Sequence, residues 1–373
     1  MRNFQNLILI VFFFAIACSP KTQSSESTTK EEFEVFTLKN SKGLTMKVTN
    51  FGAKVMELWV PDQEGKLVDI VLGHDSISDY RNSPEPYFGA AIGRYGNRIA
   101  AGLFELDGKS YQLAKNNGAN ALHGGPGGFH NVKWKVEEVG PSKIVFSYLS
   151  KDGEEGYPGN LKVKMTYQLL DTDEFKIDYE AETDQKTVIN LTHHSFFNLN
   201  GTGNESVENH LLQLFASKYT PVDSSLIPTG ELRTVVNTPF DFTVPKAIGK
   251  DIALSDEQLK FGGGYDHNWV LDKDSEGKLE IAAKVKSPLT GISMEVWTTE
   301  PGLQFYSGNF LDGSAKGKSG KPYDFRGAFC LETQHFPNSP NQPDFPSTEL
   351  KPDQIYQQTC IYKFFPINEI SQD

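Results

Sequence analysis

The stretch that decides the fold is LKVKMTYQLLDTDEFKIDYEA, residues 161–181. Leu161, Val163, Met165, Tyr167 and Leu169 alternate with polar residues, and so do Phe175, Ile177, Tyr179 and Ala181. A period of two puts one face of a strand on a core and the other in water. Asp171-Thr172-Asp173 separates the runs, so the segment reads as a hairpin. Outward from it the same texture recurs. Asp107-Gly108 between 103–106 and 109–113 is a two-residue hairpin signal. Further strands are predicted at 33–38, 44–49, 53–60, 132–139, 143–149, 187–193, 279–286, 292–298, 302–307, 327–332 and 355–364. Helix signals are sparse. The best is Ser255-Asp256-Glu257-Gln258, a capping-box pattern opening two turns. Many short strands without helical crossovers predict an all-β chain, a large antiparallel β-sandwich. Gly- and Pro-rich loops at 81–88, 117–130 and 313–323 are candidates for function on that scaffold.

The bulk numbers agree. Of 373 residues, 38% are hydrophobic and 12% aromatic, enough for one large core. A net charge of −12 argues against nucleic acid or anionic membrane surfaces as partners. The first residues are not part of this pattern. Arg2 precedes an apolar run, Leu7 to Ala17, too short to span a bilayer and suited to a signal-peptide core. It ends Ala15-Ile16-Ala17-Cys18, which resembles a bacterial lipobox, with Ala15 where Leu is usual. Residues 1–17 are therefore read as a signal peptide and Cys18 as the lipid-bearing first residue of an exported cell-envelope protein. Residues 18–31 form a polar tether and 32–373 a single domain. Cys330 and Cys360 lie in apolar segments and read as small buried hydrophobes, with pairing left open.

Polar residues inside apolar surroundings mark the candidate site. In NLTHHSFFNL (190–199), His193 and His194 are adjacent, so on a strand one imidazole faces a cleft and the other faces away. GRYGNRIA (93–100), GGGYDHNWVL (262–271) and FCLETQHFPNSPN (329–341) have the same character. Apolar walls with a few convergent polar groups are what a small-molecule cleft needs.

Seven stretches, in order over residues 33 to 364, resemble the aldose 1-epimerase (galactose mutarotase) family. They are GRYGNRIA, ALHGGPGGF (121–129), DGEEGYPGN (152–160), NLTHHSFFNL, GYDHNWVL (264–271), PGLQFYSGNF (301–310) and LETQHFPNSPN (331–341). The resemblance implies the family's β-sandwich and interconversion of the anomers of free hexoses such as galactose and glucose. It assigns Glu332 as general base and His194 as the acid that protonates the ring oxygen, on opposite edges of one pyranose. His193 is then the structural member of its pair. Asn97, Arg98, His123, Asp266, Gln304 and Tyr306 are implied as substrate-binding residues. Tyr157 reads equally as a stacking or a core residue. His335 and Trp269 depart from the commoner family residues and are expected at the pocket edge.

Such chemistry requires no cofactor or metal. Calcium is conceivable, but no loop has dense oxygen ligands. The expected partner is an aldose, and the expected state a monomer whose only membrane attachment is its lipid. The alternative is a non-catalytic carbohydrate-binding protein of the same fold. A glycosidase would use Glu332 and Asp266 as its two carboxylates.

Overall fold

The computed structural model describes Met1, residues 33–203 and residues 206–366. The expected leader, Cys18 and the tether lie outside the described residues. Within them, strands dominate and pair antiparallel. The largest sheet has nine strands, in the order Lys135–Val139, Lys143–Ser150, Leu161–Leu170, Glu174–Thr183, Tyr356–Pro366, Ile292–Thr298, Glu280–Lys286, Leu211–Leu214 and Lys246–Ala247. The hairpin at its heart runs from Leu161 opposite Thr183 to Leu170 opposite Glu174. Leu161, Val163, Met165, Tyr167, Phe175, Ile177 and Tyr179 all turn into one core cluster. Each such side chain contributes about 1.5–3 kcal/mol by leaving water. The last strand inserts beside this hairpin and joins it to the second half of the sheet.

A five-stranded sheet carries the site. Its order is Arg233–Thr234, Lys218–Thr220, Asp266–Val270, Gly302–Tyr306 and Cys330–Gln334. A four-stranded meander, Val35–Lys39 through Leu67–Asp69, packs on the nine-stranded sheet at Leu161–Leu170 and Tyr356–Pro366. The Asp107-Gly108 turn has φ of 51° and 74°, and the two flanking strands pair around it.

Several boundaries differ from expectation for identifiable reasons. The segment 187–193 is two short strands, Thr187–Val188 and Thr192–His194, with different partners. Between them the Asn190 backbone switches partner to the segment 94–96, its N–H donating to the Arg94 carbonyl and its carbonyl accepting from the Gly96 N–H. Its Nδ2 donates to Gly96 and His335 carbonyls, and its Oδ1 accepts from the His335 N–H. The predicted helix is Glu257–Gly262, capped by Asp256 rather than Ser255, and Asp256 accepts from both Gln258 and Leu259 N–H. A second helix, Ile77–Arg81, capped by Ser76, had not been predicted. Nor had the strand Asp266–Val270, whose Asp and Asn are poor strand formers. Cys330 and Cys360 are buried, unpaired thiols.

Candidate active site

Side chains alternate across the five-stranded sheet. Register pairs Asp266 with Tyr306, Asn268 with Gln304, and Gln304 with Glu332. Cross-strand partners share a face. One face therefore presents Asp266, Asn268, Gln304, Tyr306, Glu332 and Gln334. The other presents Trp269, Leu303, Phe305 and Leu331 to the core. The polar face looks toward Thr192–His194 and toward two loops.

His194 and Glu332 meet there. His194 Nε2 stands 3.5 Å from Glu332 Oε1. They are side by side on neighbouring elements. His193 faces the opposite way. Its Nδ1 is 3.2 Å from the Tyr167 hydroxyl and its Nε2 2.6 Å from Ser195 Oγ, among Phe175 and Tyr362. Strand alternation thus sends one imidazole to the cleft and the other to the core.

Loop 117–130 supplies His123, and the ladder of Arg98–Ile99 with Ala121–Leu122 fixes it. His123 N–H donates to the Asn97 carbonyl, and Asn97 N–H donates to His123 Nδ1. A neutral His123 therefore carries its proton on Nε2. Asn97 (φ 61°) and His123 (φ 50°) both adopt left-handed backbone to make this exchange. The Asn97 side chain caps the Arg98 N–H, so Asn97 acts through its backbone and Arg98. Arg98 Nη2 lies 3.7 Å from Asp266 Oδ2, and Arg98 Nε donates to Asn117. Gln304 Nε2 donates to Asp266 Oδ1 at 2.7 Å. The Tyr306 hydroxyl accepts from the Phe310 N–H, which leaves its ring as wall. Tyr87, from loop 81–88, closes the cluster with ring centroids 4.6 Å from His123 and 5.7 Å from His194. It carried no sequence signal beyond its Pro-rich loop.

All the expected site residues are buried, Glu332 to 2% exposure. Several polar atoms on this face have no protein partner: Glu332 Oε2, His194 Nδ1, Gln304 Oε1, and both amide atoms of Asn268 and of Gln334. Buried orphans are costly unless a ligand or water satisfies them. Asn268 and Gln334 went unnoticed in the sequence, although the alternation of Asp266–Val270 points to the first.

Burial sets the proton inventory. Desolvation, followed by the Asp266 charge, pushes the Glu332 carboxyl well above the usual carboxylate range. Desolvation pushes His194 down to about 3 and His123 well below the ordinary imidazole value. Desolvation also raises Asp266, with Arg98 and Gln304 opposing. Both shifts favour a proton on Glu332 over one on His194.

Other expected residues lie elsewhere. Tyr157 is core, packed near Phe104 and Arg94. Trp269 also faces the core, its Nε1 donating to the Phe240 carbonyl, and is not at the pocket edge. His335 points away from Glu332 and pairs with Glu300 at 2.5 Å, on a separate groove of about 1290 Å³. Loop 313–323 stays out of the cluster, with Lys318 Nζ on Asp69 and Val71. Arg94 is consumed by the Pro158, Gly159 and Ser150 carbonyls, so it is not free for a phosphate.

Among the described residues, one group of His, Cys, Asp or Glu side chains converges as a metal site would: His123, His194 and Glu332, with ligand atoms within 4.8 Å of one another. Two nitrogens and one oxygen suit zinc-like ions better than calcium.

A sandwich that buries a carboxylate–imidazole contact among polar atoms without protein partners has the character of an enzyme site for a small polar molecule. Comparison with known proteins makes this specific. The family model for aldose 1-epimerase matches residues 34–363. The galactose mutarotases of Sus scrofa and Homo sapiens are each 44% identical to this chain, over 91% and 90% of it and 95% and 94% of their own lengths. The aldose 1-epimerase of Escherichia coli is 36% identical over 90% of this chain and 96% of its own. A crystal structure of an aldose epimerase homologue from C. elegans, 32% identical, superposes with a TM-score of 0.82 over 90% of this chain and all of its own. The chain belongs to the aldose 1-epimerase family, a family of isomerases, and the purely binding alternative falls away.

Proposed function

We propose that this chain interconverts the α and β anomers of free hexoses such as galactose and glucose, with Glu332 and His194 as the proton-transfer pair. The carrying observation is their 3.5 Å approach in a cleft whose other polar atoms lack partners. Ring opening removes a proton from the C1 hydroxyl and delivers one to the ring oxygen. Both oxygens are bonded to C1, so the groups serving them must be neighbours. Burial favours the proton of the pair on Glu332, so it must first cross the 3.5 Å contact to His194. Glu332 then takes the hydroxyl proton as base, and His194 gives its proton to the ring oxygen. Rotation about C1–C2 follows, and closure reverses the roles. A buried pair with one proton suits this, because it accepts at one end while donating at the other. Arg98, Asp266, Gln304 and the Nε2–H of His123 hold the remaining hydroxyls. Galactose as substrate is supported by the mutarotase relatives.

No step needs a metal or organic cofactor, and any calcium is incidental or structural. The exported, lipid-anchored and monomeric state is part of the proposal. The 7–17 apolar run and Cys18 support the export and the anchor. Loss of radiolabelled palmitate in Cys18→Ala would test it. For the activity, polarimetry on fresh α-D-galactose is the test. Relaxation to the equilibrium rotation should accelerate in proportion to enzyme; saturable binding without acceleration would overturn the reading.

A further inference from the structure

The proton transfers make no use of Tyr87, yet it stands against both imidazoles of the cleft. Two rings stack on the His194 imidazole. Phe196 does so with centroids 4.9 Å apart and planes 25° apart, and Tyr87 at 5.7 Å and 23°. His123 meets the same imidazole edge-on at 5.0 Å. Offset stacks and edge contacts at these separations are the favoured arrangements of aromatic rings. They matter because the outer torsion of a histidine is broad on its own. Packing therefore has to set the plane of the ring, and with it the direction of Nε2 toward Glu332.

Phe196 follows His194 two residues along the chain and is buried. Tyr87 comes from loop 81–88 and is only partly buried, so its place must be imposed. The loop is anchored on both sides of it. The Tyr87 N–H donates to the Glu85 carboxylate, and the adjoining Pro86 carbonyl accepts from Lys54 Nζ at 2.7 Å. Lys54 and Glu85 lie in each other's field. The Glu85 N–H donates to Ser83 Oγ, which His74 Nε2 holds in turn. On the other side the Gly89 N–H donates to the His194 carbonyl itself, and the Gly89 carbonyl accepts from the Val55 N–H. Gly89 has φ of 64°, and a Cβ there would stand 2.1 Å from the Val55 carbonyl oxygen. Between these anchors Phe88 packs edge-on against Phe196, and the Tyr87 ring meets His123 and His130 edge-on. A partly exposed tyrosine needs no such anchoring for its own burial.

We propose that Tyr87 is a positioning residue for mutarotation: its ring, together with Phe196, holds the His194 imidazole in the plane that turns Nε2 to Glu332. The inference rests on the mutarotase reading. The flat ring carries the role, and the hydroxyl is dispensable.

Tyr87→Phe and Tyr87→Leu would be compared on fresh α-D-galactose. Tyr87→Phe should keep the wild-type kcat and KM. Tyr87→Leu should lose about tenfold to a hundredfold in kcat, the order that misplaced reacting groups cost, with KM little changed. Tyr87→Met serves if the leucine variant does not fold. In protein carrying ¹³C-labelled histidine, the His194 ring signals should keep their positions in Tyr87→Phe and move in Tyr87→Leu. Equal losses in the two variants would give the role to the hydroxyl and overturn the proposal. So would an unchanged kcat in Tyr87→Leu, or a loss confined to KM, which marks a ring that only touches the sugar. Failure of the wild type to accelerate galactose would instead strike the mutarotase reading, and the His194 signals would still test the clamp.

Discussion

The two faces of the five-stranded sheet are built from alternate residues of the same strands, yet they obey opposite rules. On the core face, Trp269, Leu303, Phe305 and Leu331 pack together, and the one indole N–H finds the Phe240 carbonyl. His267 Nε2 is the exception, buried there without a partner. On the cleft face, Asn268, Gln304, Glu332 and Gln334 are as deeply buried but hold atoms with no protein partner. The first face spends its burial on stability. The second carries unsatisfied polarity, which in the proposed function a hexose completes.

Neighbouring residues on opposite faces should therefore separate activity from stability. Glu332→Gln is expected to lower kcat by about 10²–10⁴-fold with little change in melting temperature, by polarimetry and calorimetry on one preparation. Leu331→Ala should do the reverse, costing about 2–5 kcal/mol while the folded fraction keeps its kcat. Equal effects on both readouts would erase the distinction between the faces. The histidine pair sharpens it. His194→Gln should cost about 10²-fold in kcat. His193→Phe, which loses the Tyr167 and Ser195 partners, should cost about 1–3 kcal/mol of stability instead. A smaller, reversible effect is expected from zinc. Neutral His123 and His194 with Glu332 offer it a ligand set, so added Zn²⁺ should inhibit and a chelator should restore the rate.

What was legible in the sequence follows the same division. The 161–181 hairpin was readable because its alternation separates apolar from polar, and Glu332 because a lone carboxylate follows an apolar run. Asp266–Val270 was not readable as a strand, since its buried cleft face is polar and its residues resist β-propensity. Tyr87 had no pattern at all; tertiary packing alone sets it against two imidazoles. The break at Asn190 depended on its backbone pairing with the distant segment 94–96. Trp269 and His335 were expected near substrate because they sit in site motifs. One-residue parity sends them to the other face.

The central claim is that burial leaves one proton on the Glu332–His194 pair. It is tested most directly by the pH dependence of kcat/KM for galactose mutarotation. Burial lowers His194 to about 3, so a second proton reaches the pair only as pH falls toward that value. Burial raises Glu332 above its ordinary 4.5, so the pair keeps its one proton as pH rises past 4.5. The rate should thus pass through pH 4.5 without a step and fall on the acid side only near 3. A bell with limbs at 4.5 and 6.5, the ordinary values of an independent carboxylate and imidazole, would contradict the account.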